Sequence, residues 1–190
     1  MKKTILILLL VTVNQFGFSQ EKQKASVEKS IFGIQTGILG IWVNNESRIS
    51  NEIALRSEIG YSVGLFGGDF YPKTGYLMVP TIRVEPRWYY NLDKRESKSR
   101  KTNQNSGNFL TLQTTFYPNV LIVSNYENVK IINQISFIPT WGIKRTVGNH
   151  FTYETGIGLG HTHYFAKNSG YEKDNSSAAL NLHLRIGYSF

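Results

Sequence analysis

The sequence predicts an all-β protein, an antiparallel up-and-down transmembrane β-barrel of eight strands. Three observations predict it. The final segment alternates without a lapse: Leu180, Leu182, Leu184, Ile186, Tyr188 and Phe190 are apolar, and Asn181, His183, Arg185, Gly187 and Ser189 between them are polar or small. Such period-2 alternation marks a strand with one apolar and one polar face, and a membrane-crossing strand needs about 9–11 residues of it. The same alternation recurs in several upstream segments. Aromatic residues are abundant, at 13% of the chain, and cluster where those segments would meet a membrane boundary.

The N-terminus reads as an export signal, residues 1–19. Lys2 and Lys3 supply the charged start, Ile5 to Val13 the apolar run, and Gly17-Phe18-Ser19 a small-x-small cleavage site. The apolar run is shorter than the roughly 20 residues a membrane helix needs, and no other stretch approaches that length. Loss of Lys2 and Lys3 with the signal takes the formal net charge from +8 to +6. For an exported chain the expected counter-charges are anionic lipid head groups or polysaccharide phosphates, with no nucleic acid. Without cysteine there is no disulfide framework and no thiol chemistry.

Residues 20–30, QEKQKASVEKS, are polar and aperiodic and read as a flexible lead-in, with the barrel over 31–190. Residues 31–50 are β-like but divide in two ways: one long strand, or a hairpin turning near Thr36-Gly37 with Leu39 to Ile49 as its return. From Asn51 to about Phe66, Ile53, Leu55, Ile59, Tyr61 and Val63 oppose Glu52, Arg56, Glu58, Gly60 and Ser62. Gly67 to Gly75 is a loop by its Gly, Asp and Pro content.

Tyr76 to Asn91 alternates again, with Thr81, Arg83, Glu85, Arg87 and Tyr89 on the polar side. Pro80 and Pro86 in that strand predict bulges or local breaks. Leu92 to Asn108 is a basic, Ser/Asn-rich connection whose Lys94, Arg95, Lys98, Arg100 and Lys101 read as a solvated turn. A strand from Phe109 into Val123 follows, then a return from Val129 to Lys144 and a tight turn at Val147-Gly148-Asn149. The strand Phe151 to Phe165 and the polar loop Ala166 to Ser176 complete the chain. Counting back from Phe190 gives six strands to Glu52. Single-chain bacterial barrels have even strand numbers, which favours the hairpin in residues 31–50 and a total of eight.

An alternating last strand closing on Tyr-x-Phe resembles the assembly signal of outer-membrane β-barrels, here Leu184, Ile186, Tyr188 and Phe190. From Glu52 to Phe190 the chain resembles small barrels of the OmpA and OmpX transmembrane-domain type. The resemblance implies an outer-membrane location, contact with outer-membrane lipid, and engagement of the barrel assembly machinery through the last strand. Trp88, Tyr90, Trp141, Phe151, Tyr153, Tyr188 and Phe190 then share the outward parity at one rim, as an aromatic girdle requires.

The inward parity carries Glu52, Arg56, Glu58, Arg83, Glu85, Arg87, Lys144, Glu154, His183 and Arg185. Eight strands leave an interior that side chains just fill, and buried charges persist there when paired, so these residues are expected to interlock into a lumen charge network. The role this supports is structural or surface-interacting, without catalysis or cofactor. Two rivals remain. His161 and His163, with Ser169, Glu172 and Asp174 nearby in sequence, invite comparison with outer-membrane lipid-modifying enzymes, although no spacing matches. A soluble lipocalin-like barrel would need apolar residues inside.

Overall fold

The computed structural model describes residues 25–69 and 71–190, so the expected signal over 1–19 lies outside the described residues. Eight long strands form one closed antiparallel ring. They are β1 (Ser30–Gly37), β2 (Gly40–Arg48), β3 (Ile53–Phe66), β4 (Gly75–Trp88), β5 (Asn108–Tyr117), β7 (Gln134–Val147), β8 (Phe151–Tyr164) and β9 (Asn175–Ser189). Each pairs with its sequence neighbour, β3 joins β4, and β1 closes on β9. A two-residue strand, β6 (Val123–Ser124), adds to the upper edge of β4 at Leu77 and Met78.

The ambiguous region resolves as a hairpin. β1 and β2 turn at Ile38-Leu39, with Gly37 opposite Gly40. The first described residues from Ala25, the C-terminus, the β2–β3 turn, the β4–β5 connection and the β7–β8 turn gather at one end, here the proximal end. At the β7–β8 turn Gly148 has φ +64°, a left-handed conformation that glycine adopts without a Cβ penalty. The strands are strongly staggered. Successive partners run from Gly33 through Asn44, Glu58, Arg83, Thr115, Ser136 and Thr162 to Ser177, yet Gly33 itself pairs with Ser189, twelve residues along β9. A stagger of that size tilts the strands steeply and widens an eight-stranded ring.

The expected strand ends need correction, whereas the prolines bring a local break in pairing but no bulge. β5 stops at Tyr117 rather than Val123, and its partner β7 starts at Gln134 rather than Val129. Pro118 cannot donate to a ladder, and the Asn119 and Asn133 side chains then close the loop: Asn119 N–H donates to Asn133 Oδ1 at 2.6 Å, and Ile131 N–H to Asn119 Oδ1 at 3.0 Å. Pro80 and Pro86 produce no bulge. The β3–β4 register is continuous through both, and only the β4–β5 pairing lapses, at Glu85-Pro86, without a shift. The prolines direct their missing N–H to that side alone.

The proximal mouth is filled rather than open. The lead-in expected to be flexible is, from Ala25 onward, a strap lying across it. Val27 N–H donates to the Asn51 carbonyl at 2.8 Å, and Ala25 and Val27 are buried against Ala54, Tyr89, Leu92 and Phe109. Leu92 opens a short helix, α1 (Leu92–Glu96), in the β4–β5 connection. This is the apolar core of the protein, and it sits at one end of the barrel. The lumen above it is polar.

Candidate functional site

The polar face of each strand is set by its period-2 pattern, and the register brings opposite charges side by side. Glu46 on β2 stands opposite Arg56 on β3, Arg56 opposite Glu85 on β4, and Glu58 opposite Arg83. Across the ring, Lys144 on β7 stands opposite Glu154 on β8, and Glu154 opposite Arg185 on β9. Opposite-charge pairs of this kind favour the observed register over any slip.

The side chains then reach beyond their neighbours and tie the walls together. Arg87 of β4 forks onto Glu154 of β8, Nη1 to Oε2 at 2.7 Å and Nη2 to Oε1 at 2.8 Å. Lys144 Nζ of β7 lies 2.9 Å from Glu46 Oε1 of β2, and Arg185 Nη1 of β9 lies 2.9 Å from Glu58 Oε2 of β3. Arg56 bridges Glu46 at 3.2 Å and Glu58 at 2.6 Å, and Arg83 Nη1 pairs with Glu58 Oε1. Gln113 donates to Glu85 Oε1, and Thr115 Oγ1 accepts from Arg83 Nε. Removing one partner from a pair buried this completely leaves an uncompensated charge and costs roughly 3–5 kcal/mol.

Of the charges expected in the network, Arg56, Glu58, Arg83, Glu85, Arg87, Glu154, His183 and Arg185 are there; His183 Nε2 lies 3.2 Å from Glu154 Oε1. Glu52 is not. The β3 ladder begins at Ile53, so Glu52 sits in the proximal turn, exposed, where its carboxylate accepts the Trp88 indole N–H at 3.0 Å. Its place is taken by Glu46, which the unresolved parity of residues 31–50 concealed. Glu46 is fully buried and receives Arg56, Arg87 and Lys144 together with the Tyr89 hydroxyl at 3.0 Å and Asn105 Nδ2 at 2.9 Å. Burial and the Glu46 carboxylate push the Tyr89 phenol well above its ordinary value, so it remains a donor. Asn105, from the basic connection, was not legible as a lumen residue; it enters from below at a positive φ of 54°.

Trp42 lies directly on the distal side of these charges. Its indole N–H donates to Thr81 Oγ1 at 3.1 Å, and the Arg185 guanidinium stacks on it with a 4.4 Å separation. Gly60 opposite makes room for it, since a Cβ there would come within 2.7 Å of the indole. Inward residues on the proximal side of Trp42 are buried. On the distal side Ser62, Val79, Ala179 and Asn181 are half-exposed and line a cup of small side chains, whereas Ser136 and Thr162 at that end are buried.

The outer face is the apolar one. Leu180 and Leu182 are 62% and 66% exposed, and Leu184, Ile186 and Phe190 are exposed below them. Phe190 N–H donates to the Phe32 carbonyl at 2.9 Å, and Tyr188 packs edge-on between Phe151 and Phe190. An open apolar groove of about 730 Å³ follows this seam between β8, β9 and β1. Trp88, Tyr90 and Trp141 extend the aromatic rim, with Trp141 Nε1 donating to the Tyr90 hydroxyl at 2.8 Å.

His161 and His163 project outward near the distal end. His163 Nδ1 lies 3.0 Å from Ser176 Oγ, and His161 packs beside Phe137. The Asp174 carboxylate instead accepts the Lys167 N–H at 2.9 Å, and among the described residues no group of three or more His, Cys, Asp or Glu is placed to hold a metal. Comparison with models of known families, with curated proteins and with solved structures found no match.

Proposed function

We propose that this chain is an integral outer-membrane β-barrel with a charge-plugged lumen and a structural or surface-interaction role. One observation carries the reading: the polarity of the barrel is reversed relative to a soluble one. Leu180, Leu182, Leu184 and Ile186 face outward, whereas Arg56, Glu58, Arg87, Glu154 and Arg185 are buried within. In water the first set would be an aggregation surface and the second a large desolvation cost; in a bilayer the first set is solvated by lipid tails. A lipocalin-like ligand barrel needs the opposite arrangement.

The aromatic rim supports the same reading, because Trp88, Tyr90, Trp141, Phe151, Tyr153, Tyr188 and Phe190 stand at the proximal end, facing out, where a periplasmic interface would lie. No helix among the described residues is long and apolar enough to cross a membrane, so crossing falls to the strands. Outer-membrane lipid is then the partner of the outer face, and the assembly machinery the partner of Leu184, Ile186, Tyr188 and Phe190.

Envelope fractionation with electrophoresis before and after heating tests the proposal. The protein should sediment with outer membranes and run anomalously until boiled. Release with the soluble periplasmic contents, and one mobility in both lanes, would contradict it. Deleting Phe190 should lower membrane levels far more than it lowers the stability of refolded protein.

A further inference from the structure

The β1–β2 hairpin is too short for the barrel it closes. On its β1 side, β9 is paired only from Arg185 to Ser189, although its other edge is paired with β8 from Asn175 to Tyr188. Likewise β2 ends against Ser62, and the Leu39 carbonyl accepts the Val63 N–H as the last contact with β3. Above the hairpin the wall therefore has a notch where two strands are missing, its flanking strands β9 and β3 three spacings or about 14 Å apart. The comparable bare edge on β4 is covered by β6, whereas among the described residues nothing covers β9 from Asn175 to Leu184.

The notch is amphipathic. Its floor is the hairpin tip, and this tip is Ile38-Leu39, 82% and 51% exposed, where a water-facing turn would carry polar residues. Leu65, Leu180 and Leu182 flank it on the outer face, while the bare β9 edge offers backbone N–H and C=O groups. Inward, it opens on the cup above Trp42.

The base of that cup carries surplus positive charge. Among the described residues the buried lumen holds five cations, Arg56, Arg83, Arg87, Lys144 and Arg185, against four carboxylates, Glu46, Glu58, Glu85 and Glu154. Arg56, Arg87 and Lys144 are matched in the proximal layer by Glu46, Glu85 and Glu154. Toward the cup, Glu58 meets Arg83 and Arg185 while also holding Arg56 at 2.6 Å, and Glu85 reaches Arg83 only at 3.8 Å. Arg185, 4% exposed, also has its Nε buried without a hydrogen-bond partner. Such a group requires an acceptor.

We propose that the cup binds a single-chain monoanionic amphiphile, a free fatty-acid-like carboxylate. Its head sits over Arg185 and against Trp42, and its acyl chain leaves through the notch over Ile38-Leu39. One negative charge balances the surplus, and one chain suits the narrow notch. The route of the tail into hydrocarbon rests on the membrane reading above; occupancy of the cup does not.

The test uses the full barrel refolded in neutral maltoside micelles, with Trp88→Phe and Trp141→Phe leaving Trp42 as the fluorophore. The probe is 2-bromohexadecanoate, whose bromine lies beside the carboxylate and quenches indole at short range. Quenching of Trp42 should saturate. The neutral methyl ester should act at least tenfold more weakly, and excess phosphatidylglycerol should not displace the acid. Arg185→Gln should weaken quenching at least tenfold. If that variant does not fold, Ala179→Phe, which fills the cup above the charges, should abolish quenching instead. No saturable quenching, equal quenching by the ester, or displacement by the phospholipid would each overturn the proposal. Because the measurement is made in micelles, its failure is distinct from a failure to fractionate with membranes.

Discussion

Arg87 and Glu154 face each other across the full width of the lumen, joined by two hydrogen bonds of 2.7 and 2.8 Å. Neither side chain is exposed to solvent. The pair fixes β4 to β8, two strands with no shared ladder, and so makes the ring a cross-braced solid rather than a flexible hoop. Arg87→Leu and Glu154→Leu should each cost roughly 3–5 kcal/mol, because each leaves a buried charge without its partner. The double variant should cost clearly less than the sum. Urea unfolding of the three refolded variants measures the coupling, and simple additivity would show that the pair does not act as a unit.

Glu46 and Glu52 give a contrast within one segment. Glu46→Gln removes the charge that faces Arg56, Arg87 and Lys144, and should cost roughly 3–5 kcal/mol. Glu52→Gln, at an exposed turn, should change stability by less than about 0.5 kcal/mol. Unfolding midpoints measured side by side check this; equal effects would place the centre of the network elsewhere.

The braced lumen should not conduct. Passage of ions would require opening several buried pairs at once, and the strap Ala25–Lys29 with Asn105 closes the proximal mouth beneath them. Purified protein in a planar bilayer should give no steady porin-like current. A stable ohmic conductance would mean that the charges line a channel rather than fill it.

What the sequence made legible follows from pattern strength. β8 and β9 alternate over their whole length, so their faces, and with them Glu154, His183 and Arg185, are readable directly. In residues 31–50, Gly33, Gly37 and Gly40 interrupt the alternation and carry no side chain to declare a face, which left the inward parity of Glu46 and Gln35 open. The run from Val120 to Val123 reads as more of β5, but Pro118 ends the ladder and Val123 pairs with β4 instead. Ala25, Val27 and Asn105 act through a strap and a loop, where no periodicity exists to reveal burial. Glu52 has the inward parity but lies one residue before the ladder begins, and parity alone does not distinguish a lumen from a rim.

Lipid outside and paired charge inside are tested at once by a spin-label scan along β9. Single cysteines from Leu180 to Tyr188, in a chain that has none of its own, would carry a nitroxide in refolded bilayer samples. Accessibility to oxygen, which concentrates in hydrocarbon, should alternate, high at 180, 182, 184 and 186 and low at 183 and 185. Accessibility to a water-soluble nickel chelate should be low at all six of these positions. High chelate accessibility at 180, 182, 184 and 186 would contradict the account, because it would put water where the barrel requires lipid.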